Sequence, residues 1–394
     1  MSSTDWQSFF RQELEQSEAA SLRRRRTCHV GTADPQLHRR DGQLQINFGS
    51  NDYVGLRHDR RLAVAVVQSL PTLGVGAGAS PLVSGYSSAL AELEQRLAAW
   101  QGTQGALVFS SGMSMNVGVI AALVDSDDLV LSDRLNHASL IDGCRLSGAH
   151  KRIYPHADAE AVEEILRSER HRYRRVVVIT ESVFSMDGDI APLETLSALC
   201  ERYEAGLIVD EAHASAVLGA TGAGLGEELG LTSRWLAKLG TLSKGLGTCG
   251  GFVAGSADLI DFLVNRCRAY IYSTAIAPPV VAASLAAVEL MPELSQRRAR
   301  VQALSRRVRC ALQCQGWKVP DGRTPILPVI VGSSQRALAH SHRLSLEGLY
   351  VPAIRPPTVP AEAARLRISL SSAHTDQQVD KLLACMEQLV SVHG

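Results

Sequence analysis

Two features of the chain predict an α/β fold with a second, smaller domain. Between residues 46 and 285, short apolar runs alternate with amphipathic helical stretches, the sequence form of βα units and a mainly parallel sheet. Past Pro278 and Pro279 the text changes to a long Ala-, Leu- and Arg-rich helical pattern and two more strand-like runs, which reads as an α+β domain. The expected organisation is an N-terminal helix and arm over 1–45, a large domain over 46–285 and a small domain over 286–394.

The elements follow in order. Phe9, Phe10, Leu14 and Leu22 give the N-terminal helix its apolar spacing, and Gly31, Pro35, Asp41 and Gly42 punctuate the arm behind it. Leu90, Leu93, Leu97 and Trp100 recur at helical spacing and predict a core-facing helix over 88–101. Residues 106–109 predict a strand, 113–124 a helix, and 129–131, 176–180 and 207–210 further buried strands, with a weaker one at 239–242. The small domain is expected to hold a helix over 281–314, strands at 326–331 and 366–370 with a helix between them, and a closing helix over 375–391. No internal repeat is present.

Composition excludes several classes. The 394 residues are 45% hydrophobic and 20% charged, with 40 basic and 40 acidic side chains, so neither dominant disorder nor nucleic acid or an anionic membrane as main partner is expected. The most apolar stretch, 275–291, contains Pro278, Pro279 and Glu289 and does not read as a membrane span. The N-terminus is polar and lacks the apolar segment of a secretory signal. The eight cysteines are scattered; Cys310 and Cys314 have no second pair to complete a zinc site, so free thiols, a cytoplasmic location and no metal are expected.

The chemistry gathers at three places. Lysine is scarce, and one of the few, Lys244, sits among glycines at 240–247, just past an apolar run. An amine there can form a Schiff base, which a guanidinium cannot; alone, the residue also reads as a surface lysine in a Gly-rich loop. The run 207–213 delivers Asp210 to the carboxyl end of a strand, with His213 three residues on. A carboxylate there can hold a protonated pyridine nitrogen. Its letters DEAH also spell an ATPase motif, but no lysine in the chain follows a glycine, so the phosphate loop that motif needs is absent. The third place is 109–116, FSSGMSMN, which joins a strand to a helix, so that Ser111, Gly112 and the helix N-terminus can bind a phosphate; alone it is also an ordinary serine cap. Gly74, Gly76 and Gly78 follow no convincing strand and are not read as a dinucleotide loop. Phosphate site, ring-nitrogen carboxylate and lysine together are what pyridoxal 5'-phosphate (PLP) requires.

Seven segments carry a resemblance: SNDYVGL (50–56), LVSGY (82–86), SDRLNHASLIDG (132–143), TESVFSMDGD (180–189), VDEAH (209–213), GTLSKGLG (240–247) and IYSTAIAPP (271–279). They resemble the α-oxoamine synthases, PLP-dependent acyltransferases of the aspartate-aminotransferase fold, which condense an amino acid with an acyl thioester and release carbon dioxide. The resemblance runs from Leu22 to His374 and implies a PLP-dependent transferase of fold type I with a seven-stranded-type sheet. It implies that Lys244 carries the cofactor and moves protons, that Asp210 pairs with the ring nitrogen and His213 with the ring oxygen, and that His137 stacks on the ring. Ser111, Gly112, Met113, Ser185 and Thr241 are implied to hold the cofactor, and Thr274 to reach the phosphate of a neighbouring subunit in a homodimer. Arg367 is implied to take the amino-acid carboxylate with support from Asn51, and Arg23, Arg355 and Thr358 to contact substrate. Segments 353–360 and 365–369 narrow the resemblance to the branch that joins L-alanine to a pimeloyl thioester, carried on coenzyme A or an acyl carrier protein. Branches using glycine or serine, and a non-catalytic subunit of the same fold, remain alternatives. Two departures stand out: Met113 replaces a frequent aromatic and Pro81 a usual glycine.

Overall fold

The structure is a computed structural model that describes residues 5–30, 35–39 and 42–391; Gly31 and Asp41 of the arm lie outside them. The chain divides into two compact units, 51–302 and 1–50 together with 303–394. The N-terminal segment thus groups with the C-terminal residues, where the sequence suggested an arm by itself. The physical reason is strand pairing, since Leu44–Asn47 lies parallel to Leu349–Tyr350.

In the 51–302 unit, seven strands form one sheet in the order Gly105–Phe109, Gly251–Gly255, Ala237–Thr241, Gly206–Asp210, Val176–Glu181, Leu129–Asp133, His150–Tyr154. Six strands run the same way. Gly251–Gly255 is antiparallel to both of its neighbours. The carboxyl ends of the parallel strands therefore share one edge, the place where open α/β sheets bind ligands.

Aliphatic side chains cover both faces. On one, Leu107, Ile179, Ile208 and Leu239 pack against Val119 and Ile120 of helix Gly112–Leu123. On the other, Val108 and Phe252 meet Leu90, Leu93 and Leu97 of helix Ser88–Gln101 and Val281. Each such side chain contributes about 1.5–3 kcal/mol of burial free energy. Ser87 caps the second helix by accepting from the Leu90 amide, and Gly102, at φ 66°, ends it in the left-handed conformation that glycine adopts without strain.

The helix expected over 281–314 is two helices, Pro278–Leu290 and Ser295–Cys314. A 3-10 turn, Met291–Leu294, separates them because Pro292 cannot donate to the helical ladder. Two strands of the seven-stranded sheet escaped the sequence reading, as did the short strands Leu44–Asn47, Leu349–Tyr350 and Ala353–Ile354 of the other unit. His150–Tyr154 is a polar edge strand, HKRIY, and Gly251–Gly255 is bounded by glycine.

The other unit carries the helix Trp6–Ala19, a four-stranded sheet and a three-stranded antiparallel one of Ile326–Gly332, Ala364–Ser369 and Ala353–Ile354. Helices Ser334–Leu346 and Asp376–Ser391 complete it, close to the expected bounds.

Candidate active site

A cavity of about 280 Å3 opens at the carboxyl edge of the large sheet. Its walls include Ser111, Gly112, Met113, Asn116, His137, Ser139, Glu181, Asp210, Thr241, Ser243 and Lys244. These residues come from five strand ends, so segments far apart in sequence meet because parallel strands deliver them to one line.

One end is built for an anion. Ser111 caps helix Gly112–Leu123 by accepting from the Ser114 amide at 3.1 Å, and the first amides, Gly112 and Met113, have no carbonyl within the helix to bond. Gly251 lets its strand approach this helix start, since a Cβ there would fall 2.7 Å from Gly112 Cα. Thr241 Oγ1 lies 2.7 Å from Ser243 Oγ and donates to the Gly250 carbonyl at 2.9 Å.

At the other end Asp210 is nearly buried. Its Oδ1 accepts from the Ala212 amide at 2.8 Å and its Oδ2 from Asn116 Nδ2 at 2.7 Å. In register beside it stands Glu181, whose carboxyl accepts the His137 amide at 2.7 Å. Burial, reinforced by the Asp210 charge, pushes Glu181 up to about 8. Burial also lowers His137 below the usual histidine value.

The Lys244 amine lies 2.8 Å from His213 Nε2, whose Nδ1 meets the Tyr53 hydroxyl at 2.6 Å. Tyr53 in turn donates to Asn51 Oδ1 at 3.1 Å. Asn51, His213 and Lys244 thus belong to one polar chain.

The residues match PLP at each end. Helix amides, Ser111 and Thr241 suit its phosphate, the Asp210 carboxylate suits a protonated ring nitrogen, and an amine lies on the same cavity wall. Ser185 sits in the loop after strand Val176–Glu181 and is not among the lining residues. Thr274 borders a shallow recess with Pro81, Ser110 and Tyr270. Pro81, in place of the usual glycine, opens the π-helical turn Pro81–Gly85.

The remaining predicted residues lie in the other unit. Arg367 is buried on strand Ala364–Ser369 and donates to Ser369 Oγ at 2.7 Å. Arg355 donates to the Ser21 carbonyl and, at 3.4 Å, to that of Arg23. The Arg23 side chain pairs with Glu18 at 3.4 Å, whereas Arg24 reaches Thr358 Oγ1 at 3.4 Å. Within the arginine run it is Arg24 that meets Thr358.

Sequence reasoning passed over Tyr53, Asn116, Ser139, Glu181 and Ser243. Each lies within or next to a quoted motif. What hid them was the absence of local signal for contacts made across the sheet.

The family profile for aminotransferase class I and II matches residues 44–385. The chain belongs to this family. Within it, the chain is 47% identical over 384 residues to the 8-amino-7-oxononanoate synthase of Marinobacter nauticus, covering 97% of this chain and 96% of that one. A solved 8-amino-7-oxononanoate synthase from Francisella tularensis matches with a TM-score of 0.78 at 27% identity, over 88% of this chain and 98% of the other. A solved SPT carrying PLP matches with a TM-score of 0.90 at 29% identity, over 98% of each chain. The chain is thus a PLP-dependent enzyme of the 8-amino-7-oxononanoate synthase branch of the aminotransferase class I and II family.

Proposed function

We propose that the enzyme condenses L-alanine with a pimeloyl thioester, releasing carbon dioxide and the free thiol and forming 8-amino-7-oxononanoate. The observation that carries this reading is the presence of the Lys244 amine and the Asp210 carboxylate on one cavity wall, in a chain 47% identical to a synthase of that name. PLP supplies an aldehyde that captures amines and a ring that accepts electrons. The protein supplies the rest. Lys244 would hold the aldehyde through its amine and would move the proton at the alanine Cα, with His213 beside it to share hydrogen bonds. Asp210 holds a proton on the ring nitrogen. His137 lines the cavity and is kept neutral by burial. Arg367 would take the alanine carboxylate with support from Asn51, and Arg23, Arg355 and Thr358, the last bonded to Arg24, would receive the acyl chain.

The working unit in this reading is a homodimer in which Thr274 reaches the partner's phosphate. Supporting it, Leu82, Val83, Tyr86, Tyr272 and Met113 are exposed apolar side chains on segments that border the cofactor cavity and its recess. No helix among the described residues is long and apolar enough to cross a membrane. Eight free thiols favour the cytoplasm as its location.

The test incubates the PLP-loaded enzyme with alanine, glycine or serine, each with pimeloyl-CoA, pimeloyl-acyl carrier protein, acetyl-CoA or palmitoyl-CoA, and reads products by mass spectrometry. Product from alanine and a pimeloyl thioester is expected, and the better carrier identifies the donor. Turnover of glycine with acetyl-CoA alone overturns the reading.

A further inference from the structure

The site contains a buried amide that is only half satisfied. Asn116 is buried on helix Gly112–Leu123, and its Oδ1 is buried with no hydrogen-bond partner. An amide oxygen left so is costly, and a leucine of similar size would avoid the cost. The amide nitrogen accounts for the choice. It donates to Asp210 Oδ2 at 2.7 Å and to Ser139 Oγ at 2.9 Å. An ionised carboxylate only accepts, so the nitrogen of Asn116 must face Asp210, and the orientation of the amide follows.

The consequence passes to His137. The Ser139 hydroxyl, which accepts from Asn116, lies 2.7 Å from His137 Nδ1, and an acceptor at Nδ1 takes that hydroxyl's proton. The Ser139 amide also donates to Nδ1, at 3.2 Å. Two donors at Nδ1 leave the ring proton on Nε2. The Glu181 carboxyl fixes the ring's own backbone amide.

We propose that Asn116 is a positioning residue, which ties Asp210 to His137 through Ser139 and thereby holds His137 as the tautomer with its proton on Nε2. The ring then presents an N–H donor and not a lone pair at Nε2. The charges that act on His137 are Asp210, Lys244 and Asp142, with Glu181 at its amide; among them only Lys244 adds to burial in keeping the ring neutral.

Nitrogen-15 NMR of the full-length protein labelled at histidine, with and without PLP, tests this directly. His137 is expected to show a protonated Nε2 and a bare Nδ1; the reverse pattern overturns the proposal. Asn116→Asp places an acceptor against Ser139 and reverses the direction of its hydroxyl, so Nδ1 becomes protonated and His137 titrates at higher pH. Asn116→Leu removes the orphaned oxygen. It also takes a donor from Asp210, so it is expected to melt somewhat lower than wild type and to lose about tenfold or more in kcat for alanine with a smaller change in KM. Full kcat in the leucine variant together with an unmoved His137 titration overturns the proposal; should that variant not fold, Ser139→Ala carries the same expectation. The kcat arm rests on the alanine reading given above. The NMR arms use no substrate, so the two can fail separately.

Discussion

Asp210 and Glu211 are neighbours, and Lys238 and Lys244 belong to one strand and the loop that follows it, yet the two carboxylate–lysine sets have opposite fates. On one face of the sheet, Lys238 Nζ lies 2.9 Å from Glu211 Oε2 and donates to the Ala223 carbonyl, while Glu211 Oε1 accepts the Gly226 amide at 3.0 Å. Neither side chain is more than 1% exposed. On the other face Asp210 is engaged by Asn116 and Ala212, and Lys244 by His213. The first pair is closed on itself; the second is kept open for a ligand. Position along the chain does the sorting: Lys238 lies inside strand Ala237–Thr241, whereas Lys244 lies in the loop beyond it, on the wall of the cavity. The same two residue types serve architecture or chemistry according to whether they are sealed inside the protein or line the cavity.

Four substitutions press on that contrast. Lys244→Ala is expected to lower kcat by more than about a thousandfold and to remove the visible absorption band of the bound cofactor, while the unfolding curve keeps its midpoint within about 1 kcal/mol. Turnover by this variant would falsify the division of roles. Lys238→Met has the converse signature. It strands a buried carboxylate and is expected to cost about 3–5 kcal/mol in urea unfolding, whereas the double change Lys238→Met with Glu211→Leu recovers most of the loss. Should the single change leave stability untouched, the closed pair is not the structural element described. Asp210→Asn replaces a charge-assisted bond to the ring nitrogen with a neutral one, and steady-state assays are expected to show kcat down about a hundredfold with little change in melting.

The smallest effect concerns a third carboxyl, Glu94, which accepts from the Val108 amide at 2.9 Å and the Tyr86 hydroxyl at 2.8 Å. Burial pushes it from 4.5 up to about 7, against those two bonds. A raised carboxyl binds its proton more tightly folded than unfolded. Its contribution is therefore full below 4.5 and lost as pH rises through about 7. Glu94→Gln is expected to gain about 1 kcal/mol over wild type at pH 8 and nothing at pH 4, read by thermal melting at the two values. An equal gain at both would show that Glu94 acts by packing alone.

Much of this architecture was legible in the residues. The runs at 106–109, 176–180 and 207–210 lie within strands Gly105–Phe109, Val176–Glu181 and Gly206–Asp210, since buried parallel strands are apolar throughout. Lys244, Asp210, His137 and the Ser111 turn, all singled out in the sequence, line one cavity. What the sequence hid was cross-sheet partnership. Glu181 gains its position from being in register with Asp210, Asn116 from a bond to a residue 94 positions away, and neither leaves a local mark. The strand at 251–255 escaped because its terminal glycines read as a loop.

The reactive groups Lys244, Asp210 and His137 hang at or just beyond strand ends, while the central strand bodies are mostly aliphatic and buried. Evolution can therefore edit the rim and the scaffold on separate accounts. A solved relative sharing 29% of its residues keeps this outline at a TM-score of 0.90. New substrate preferences can be tried by changing a few loop positions, with no renegotiation of the frame that carries the chemistry.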